Sequence, residues 1–258
     1  MLETKVNGIS LAYERRGKGR SLVLLHGYPL DHSTMETLIP MLEGNFDLIL
    51  PDLRGFGESQ AVRTGFTMAN CAADVAGLLD HLNIVKTFIT GHSMGGYVAL
   101  AFLRAYPERV LGLGLISSQA LSDAPERKAG RYQEAESILA NGVTEVAKGM
   151  PGKLTARPDL QAGLKQLILR QRPEGLVGAL QAMAERPDSM ELLAGFDHPI
   201  VLVHGTADAL IPIERAHSVK AAVPTANLTE ITDAGHMTMM EAPQRTADAL
   251  MELLLSAT

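Results

Sequence analysis

Three residues of this chain have types and positions that permit acyl-transfer chemistry together. Ser93 lies in Gly91-His92-Ser93-Met94-Gly95, Asp208 in Gly205-Thr206-Ala207-Asp208, and His236 in Asp233-Ala234-Gly235-His236. A serine hydroxyl is a poor nucleophile at neutral pH. It becomes effective when an imidazole within hydrogen-bonding reach takes its proton, and when a carboxylate fixes the tautomer of that imidazole and stabilises its cation. Each role has a candidate, in the chain order Ser, Asp, His. At this level Asp123, Asp197 and Asp233 compete with Asp208, because aspartates also cap helices and turns. An ordinary turn serine is the competing reading of Ser93.

The surrounding elements make the serine informative. Val85 to Thr90 is a β-branched run, and a helical apolar pattern (Val98, Leu100, Ala101, Leu103) starts just after the turn. A side chain on a sharp strand-to-helix turn is tolerated only with nearly side-chain-free neighbours, here Gly91, Gly95 and Gly96. The other elements follow an alternating pattern. Leu2 to Val6 and Ser10 to Arg15 flank Asn7-Gly8, a hairpin signal. Ser21 to His26, Phe46 to Leu50, Val110 to Ile116, Ile200 to His204 and Ala226 to Thr232 read as strands. Helices are expected from Ser33 (capping spacing with Glu36), from Thr67, over Ile213 to Val223 and over Pro243 to Leu255. This alternation implies an α/β fold with a mostly parallel sheet, whose ligands gather at the strand carboxyl ends. From Leu121 to Phe196 no strand is expected. Arg131 to Ala140, Thr144 to Met150, Leu160 to Arg170 and Gly175 to Arg186 read as helices of an insertion over the sheet, with Met150, Leu154 and Met183 as candidate substrate contacts.

Bulk properties bound the partners. The chain has 258 residues, a net charge of -6, a single cysteine and no tryptophan. No basic run suits nucleic acid or anionic membranes. The single Cys71 forms no internal disulfide, and no apolar stretch approaches the ~20 residues of a membrane span. A cytoplasmic protein is expected, with oligomeric state open. His26, His92 and His204 read as loop braces, and Asp52 with Arg54 as a structural turn pair. His32, His81, His198 and His217 lack metal-ligand spacing, so no metal is implied.

The motifs His26-Gly27-Tyr28-Pro29, Asp52-Leu53-Arg54-Gly55-Phe56-Gly57-Glu58-Ser59, Gly91-His92-Ser93-Met94-Gly95-Gly96, Gly205-Thr206-Ala207-Asp208 and Gly235-His236 together resemble the α/β-hydrolase superfamily, specifically its small cofactor-free esterase, lactonase and haloperoxidase-like branch. The resemblance spans essentially the whole chain. It implies an α/β-hydrolase core over 1–119 and 198–258, a small helical cap over 120–197, and no cofactor. It also implies Ser93 as nucleophile, His236 as general base and acid, Asp208 as the orienting acid, and the backbone N–H groups of Tyr28 and Met94 as an oxyanion hole. The expected activity is hydrolysis of small-molecule carboxylic esters or lactones through an acyl-enzyme. Enol-lactone or carbon–carbon bond hydrolysis and perhydrolysis are alternatives on the same triad, and a non-enzymatic ligand-binding protein is a further one. Serine at position 93 departs from the aspartate that haloalkane dehalogenases and epoxide hydrolases of this fold use there.

Overall fold

Asn7 and Gly8 both take positive φ, 46° and 80°, and so form the tight turn that joins β1 (Leu2–Val6) antiparallel to β2 (Ile9–Gly17). The computed structural model describes residues 1–61 and 65–255. Strand β3 (Arg20–Leu25) follows. Next come a 3₁₀ stretch over His32–Leu38 and the short helix α1 (Ile39–Leu42). The expected capping residue Ser33 is displaced from that role. Asp31 caps instead, accepting from the Ser33 amide, and most of this first crossover is wound as 3₁₀ rather than α. Strand β4 (Phe46–Pro51) pairs parallel with β3 and antiparallel with β2. The second pairing extends β2 beyond Arg15, through a segment whose composition reads as loop.

Helix α2 (Met68–His81) starts at Thr67, whose hydroxyl accepts from the Asn70 amide while the Asn70 side chain accepts from the Thr67 amide. This reciprocal cap satisfies two otherwise orphaned donors. Of the apolar positions expected on its inner face, Met68, Cys71, Val75, Leu78 and Leu79 are buried and Leu82 is half-buried, and burial pushes the Cys71 thiol up to about 12, which leaves it unreactive. Strand β5 (Thr87–His92) begins later than expected, because Val85 is 76% exposed. It leads through Ser93 into α3 (Met94–Ala105), which is followed by β6 (Val110–Ile116).

Between Ile116 and Ile200 the described residues form helices and connections only: α4 (Pro125–Asn141), α5 (Thr144–Gly149), α6 (Pro151–Leu154), α7 (Pro158–Leu169), α8 (Pro173–Ala184) and α9 (Met190–Ala194). Helix α4 starts six positions before the expected Arg131, and α6 and α9 were not expected. Proline explains part of this. Pro125, Pro151, Pro158 and Pro173 read as separators, but each occupies a first helical position, where its missing N–H costs nothing.

The chain then returns through β7 (Ile200–Gly205), α10 (Glu214–Ala222), β8 (Asn227–Ile231), α11 (Thr238–Glu241) and α12 (Pro243–Leu255). The expected second core segment, 198–258, ends outside the described residues. The sheet order is β1-β2-β4-β3-β5-β6-β7-β8, parallel from β4 onward. Strand β7 and most of β3 and β6 are buried, as expected of parallel strands covered by helices on both faces. Among the described residues no helix is long and apolar enough to cross a membrane. The loops after β3, β5, β7 and β8 carry Tyr28, Ser93, Asp208 and His236, so the topology brings all four to one edge of the sheet.

Candidate active site

Ser93 has φ 50° and ψ −114°, a conformation that L-residues avoid and that glycine normally supplies in tight turns. Hydrogen bonds hold it there: its N–H donates to Ile116 O (2.9 Å), and its carbonyl accepts from Ser118 Oγ (2.8 Å). The turn is possible because its neighbours have no side chains. A Cβ on Gly91 would lie 2.0 Å from the Gly95 backbone, and one on Gly95 would lie 2.3 Å from Leu25 O. The serine is half-buried at the start of α3. The amide of Met94, first in that helix, and the amide of Tyr28 donate to no acceptor among the described residues. Free amides at a helix start favour negative charge.

His236 is almost fully buried, and its Nδ1–H donates to Asp208 Oδ2 at 2.7 Å. With the proton on Nδ1, Nε2 is the nitrogen able to accept one, and it has no partner among the described residues. Two backbone contacts fix the residue: its N–H donates to Leu154 O, and its carbonyl accepts from His92 Nε2, both at 3.0 Å. The second Asp208 oxygen accepts from the amides of Leu210 (2.8 Å) and Ile211 (3.0 Å). Burial alone would raise the Asp208 pKa. The nearby His236, His204 and the Ile211 amide outweigh burial and hold the carboxyl well below the usual carboxylate range, so it stays charged. The rival aspartates lie elsewhere. Asp197 and Asp233 are exposed, and Asp123 pairs with Arg131 and Arg186.

Ser93 and His236 line one cavity of about 60 Å³, together with Tyr28, Met150 and Met183. Leu154 does not line it. That side chain is fully buried, and its contribution is the carbonyl that receives the His236 amide. Sequence reasoning missed Tyr97, Gln119, Leu210 and Ile211 on the cavity wall. Tyr97, one helical turn beyond Ser93, is the one that helical spacing signalled. It also missed Glu134 of α4, which accepts from the Tyr28 hydroxyl at 3.1 Å. Burial and the Glu134 carboxylate push that phenol well above its ordinary value, so it remains a hydrogen-bond donor.

The buried histidines hold loops. His26 donates from Nδ1 to Gly27 O and accepts the Leu53 amide at Nε2, which requires a neutral ring, and burial lowers its pKa accordingly. His92 is likewise buried and uncharged, its pKa lowered well below the ordinary value by burial and then by His236; its Nδ1 has no partner. His204 donates to Ile211 O at 2.7 Å.

Asp52 and Arg54 do not pair with each other. Arg54 makes a two-pronged contact with Asp74 of α2 (2.6 and 2.7 Å), and Asp52 pairs with His32 at 2.7 Å. Folding also brings ligand atoms of Asp31, His32 and Asp52 within 4.8 Å of one another, a proximity absent from the linear spacing. Those carboxylates accept from Ser33, Gln171, His32 and Glu58.

The His32–Asp52 pair gives stability a pH window. Burial opposes both charges, but the pairing raises His32 above 6.5 and lowers Asp52 below 3.8. The histidine contribution is complete below 6.5 and disappears as pH rises through the raised value. The aspartate contribution is complete above 3.8 and disappears as pH falls through the lowered one. Asp52→Asn is therefore expected to lower Tm more at about pH 5.5 than at about pH 8.5, as read by thermal melts in matched buffers. Equal drops at both values would remove the pair as the cause.

The family described as alpha/beta hydrolase fold matches residues 20–243. Among curated proteins, the dihydrolipoyllysine-residue acetyltransferase component of the acetoin cleaving system of Pseudomonas putida is 32% identical over 253 residues, covering 94% of this chain. This chain spans only 65% of that protein's length. Among solved structures, a thermophilic esterase from Thermogutta terrifontis is 37% identical, with a TM-score of 0.95 over 100% of this chain and 99% of that one. An enol-lactonase from Burkholderia xenovorans LB400, at 23% identity and a TM-score of 0.90 over 98% of this chain and 100% of that one, shares the fold.

Proposed function

The chain belongs to the alpha/beta hydrolase fold family, and from that premise we propose that it is a serine hydrolase cleaving carboxylic ester or lactone bonds of small molecules. The observation that carries this reading is the Asp208–His236 hydrogen bond of 2.7 Å beside a serine on a strained turn in the same cavity. The likeness to the Thermogutta esterase, at 37% identity, supports the substrate class.

In the proposed reaction Ser93 Oγ attacks the acyl carbonyl while His236 Nε2 takes its proton. Negative charge develops on the carbonyl oxygen, where the Tyr28 and Met94 amides donate. Losing one such donor typically costs about a hundred- to a thousandfold in rate. The tetrahedral adduct collapses as His236 returns the proton to the departing alkoxide, leaving an acyl group on Ser93. A water molecule then adds to that acyl carbon, its proton passing to His236 and on to Ser93 Oγ as the carboxylic acid leaves. Asp208 holds the Nδ1–H tautomer throughout and offsets the imidazolium charge. Residues 120–197 act as a cap in this reading, with Met150 and Met183 touching substrate, since both line the cavity beneath the inserted helices.

The test combines labelling with turnover. An organophosphonate at neutral pH should modify Ser93 alone, as mapped by peptide mass spectrometry, and p-nitrophenyl esters or γ-lactones should be hydrolysed. Absence of both labelling and turnover would overturn the proposal. A parallel screen with a β-diketone, and with acetate plus peroxide, separates the carbon–carbon and perhydrolase alternatives.

A further inference from the structure

A second cavity of about 180 Å³ lies beside the first, and the two share Tyr97 and Gln119 as a common wall. Its other walls include Leu100 and Ala101 of α3, Met68 of α2, Ala120 and Ala182 of α8. They are aliphatic. The charged residues around it are engaged elsewhere: Arg104 donates to Asp188 O and Ser189 Oγ, Glu185 meets Lys128, and Arg186 meets Asp123. The cavity thus offers mainly apolar surface. The wall has a firmly anchored part and a weakly anchored part. Tyr97 is 4% exposed, and its ring lies under the Arg186 guanidinium at 4.0 Å. Arg186 is itself anchored to Met183 O, Leu121 O and Asp123. Gln119 is half-buried, and its side chain is tied to this wall by an amide contact to Tyr97 Oη at 3.4 Å, near the long limit of a hydrogen bond.

We propose that this second cavity receives the aliphatic tail of the substrate's acyl group, admitted past Gln119 as a gate, while the ester carbonyl sits at Ser93. The assignment rests on the serine hydrolase reading. Adjacency carries it: Tyr97 and Gln119 line both cavities, so a chain attached at Ser93 that outgrows the small cavity and passes Gln119 meets the aliphatic one next. Acyl rather than alkoxy chains are assigned because Tyr97 follows Ser93 by one turn of the same helix, and the acyl group is the part that stays bonded to Ser93.

The test measures kcat/KM for p-nitrophenyl acetate, butanoate, hexanoate and octanoate. Each methylene moved from water into the cavity is worth about fourfold, so kcat/KM should climb along the series until the space is filled. Ala101→Phe, which fills the cavity from α3, is expected to lower the octanoate-to-acetate ratio at least about tenfold, the loss of some two buried methylenes. Ala105→Phe, at the exposed end of the same helix, repeats the test should the first variant fold poorly, with thermal melts as the check. Gln119→Ala is expected to raise the ratio. An unchanged ratio in both phenylalanine variants, with acetate still hydrolysed, overturns the tail cavity alone. No ester turnover in the wild-type protein overturns the hydrolase reading and this one with it. A ratio that responds for octyl against ethyl acetate but not for the acyl series overturns the acyl assignment.

Discussion

Ser93→Gly is expected to abolish ester turnover, lowering kcat by on the order of 10⁵-fold or more, and at the same time to raise thermal stability. The two effects have one source. At φ 50° and ψ −114° the serine Cβ is held where glycine alone is comfortable, a strain of about 1–3 kcal/mol. Glycine relieves it, less about 0.5–1 kcal/mol for its greater freedom in the unfolded chain. The net gain corresponds to a Tm increase of about 2–5 °C for a domain of this size. Ser93→Ala keeps the Cβ, so it should lose activity equally while melting close to the wild type. Scanning calorimetry and p-nitrophenyl ester turnover on the three proteins check this directly. Full activity in either variant would remove Ser93 from the chemistry, and a lower Tm for the glycine variant would remove the strain.

Asp208→Asn is expected to reduce kcat by about 10⁴-fold with little change in KM. The hydrogen bonds around the carboxylate determine why. One oxygen accepts the Leu210 and Ile211 amides, and only an oxygen can do so. The asparagine oxygen must stay there, which turns its NH₂ group toward His236 Nδ1. The ring then has to accept at Nδ1 and carry its proton on Nε2, where it cannot take one from Ser93. The lost charge compounds the effect, since no carboxylate remains to offset the imidazolium. Proton NMR should show the loss of the downfield Nδ1–H resonance, together with the slow rate. Activity within tenfold of the wild type would mean that another carboxylate serves His236.

The parts of the molecule that were legible are those whose signals are local. Parallel strands buried on both faces read as unbroken apolar runs, so the strands expected over Ser21 to His26 and Val110 to Ile116 lie within one residue of β3 and on β6. The apolar spacing after Thr67 announced α2, while the reciprocal Thr67–Asn70 cap emerged only in the structure. The first crossover was misread because one or two turns of 3₁₀ and α-helix share almost the same apolar spacing, and the short Asp31 side chain captured the Ser33 amide before Ser33 could act as a cap. Strand ends located Ser93, Asp208 and His236, since the α/β alternation gathers those ends. The connections that complete the site have no such signature. Glu134 reaches Tyr28 across 106 positions, and Arg54 chooses Asp74 over the adjacent Asp52. Leu154 was picked for its apolar type, whereas α6 turns that side chain into the core and uses the backbone carbonyl.

The ring of His92 lies 4.7 Å from that of His236, yet the two rings share no hydrogen bond. His92 is held uncharged, and its one N–H is committed to the His236 carbonyl. His92 is thus a brace of the main chain: it holds residue 236 from behind, while Asp208 orients the imidazole from one side and the cavity lies on the other.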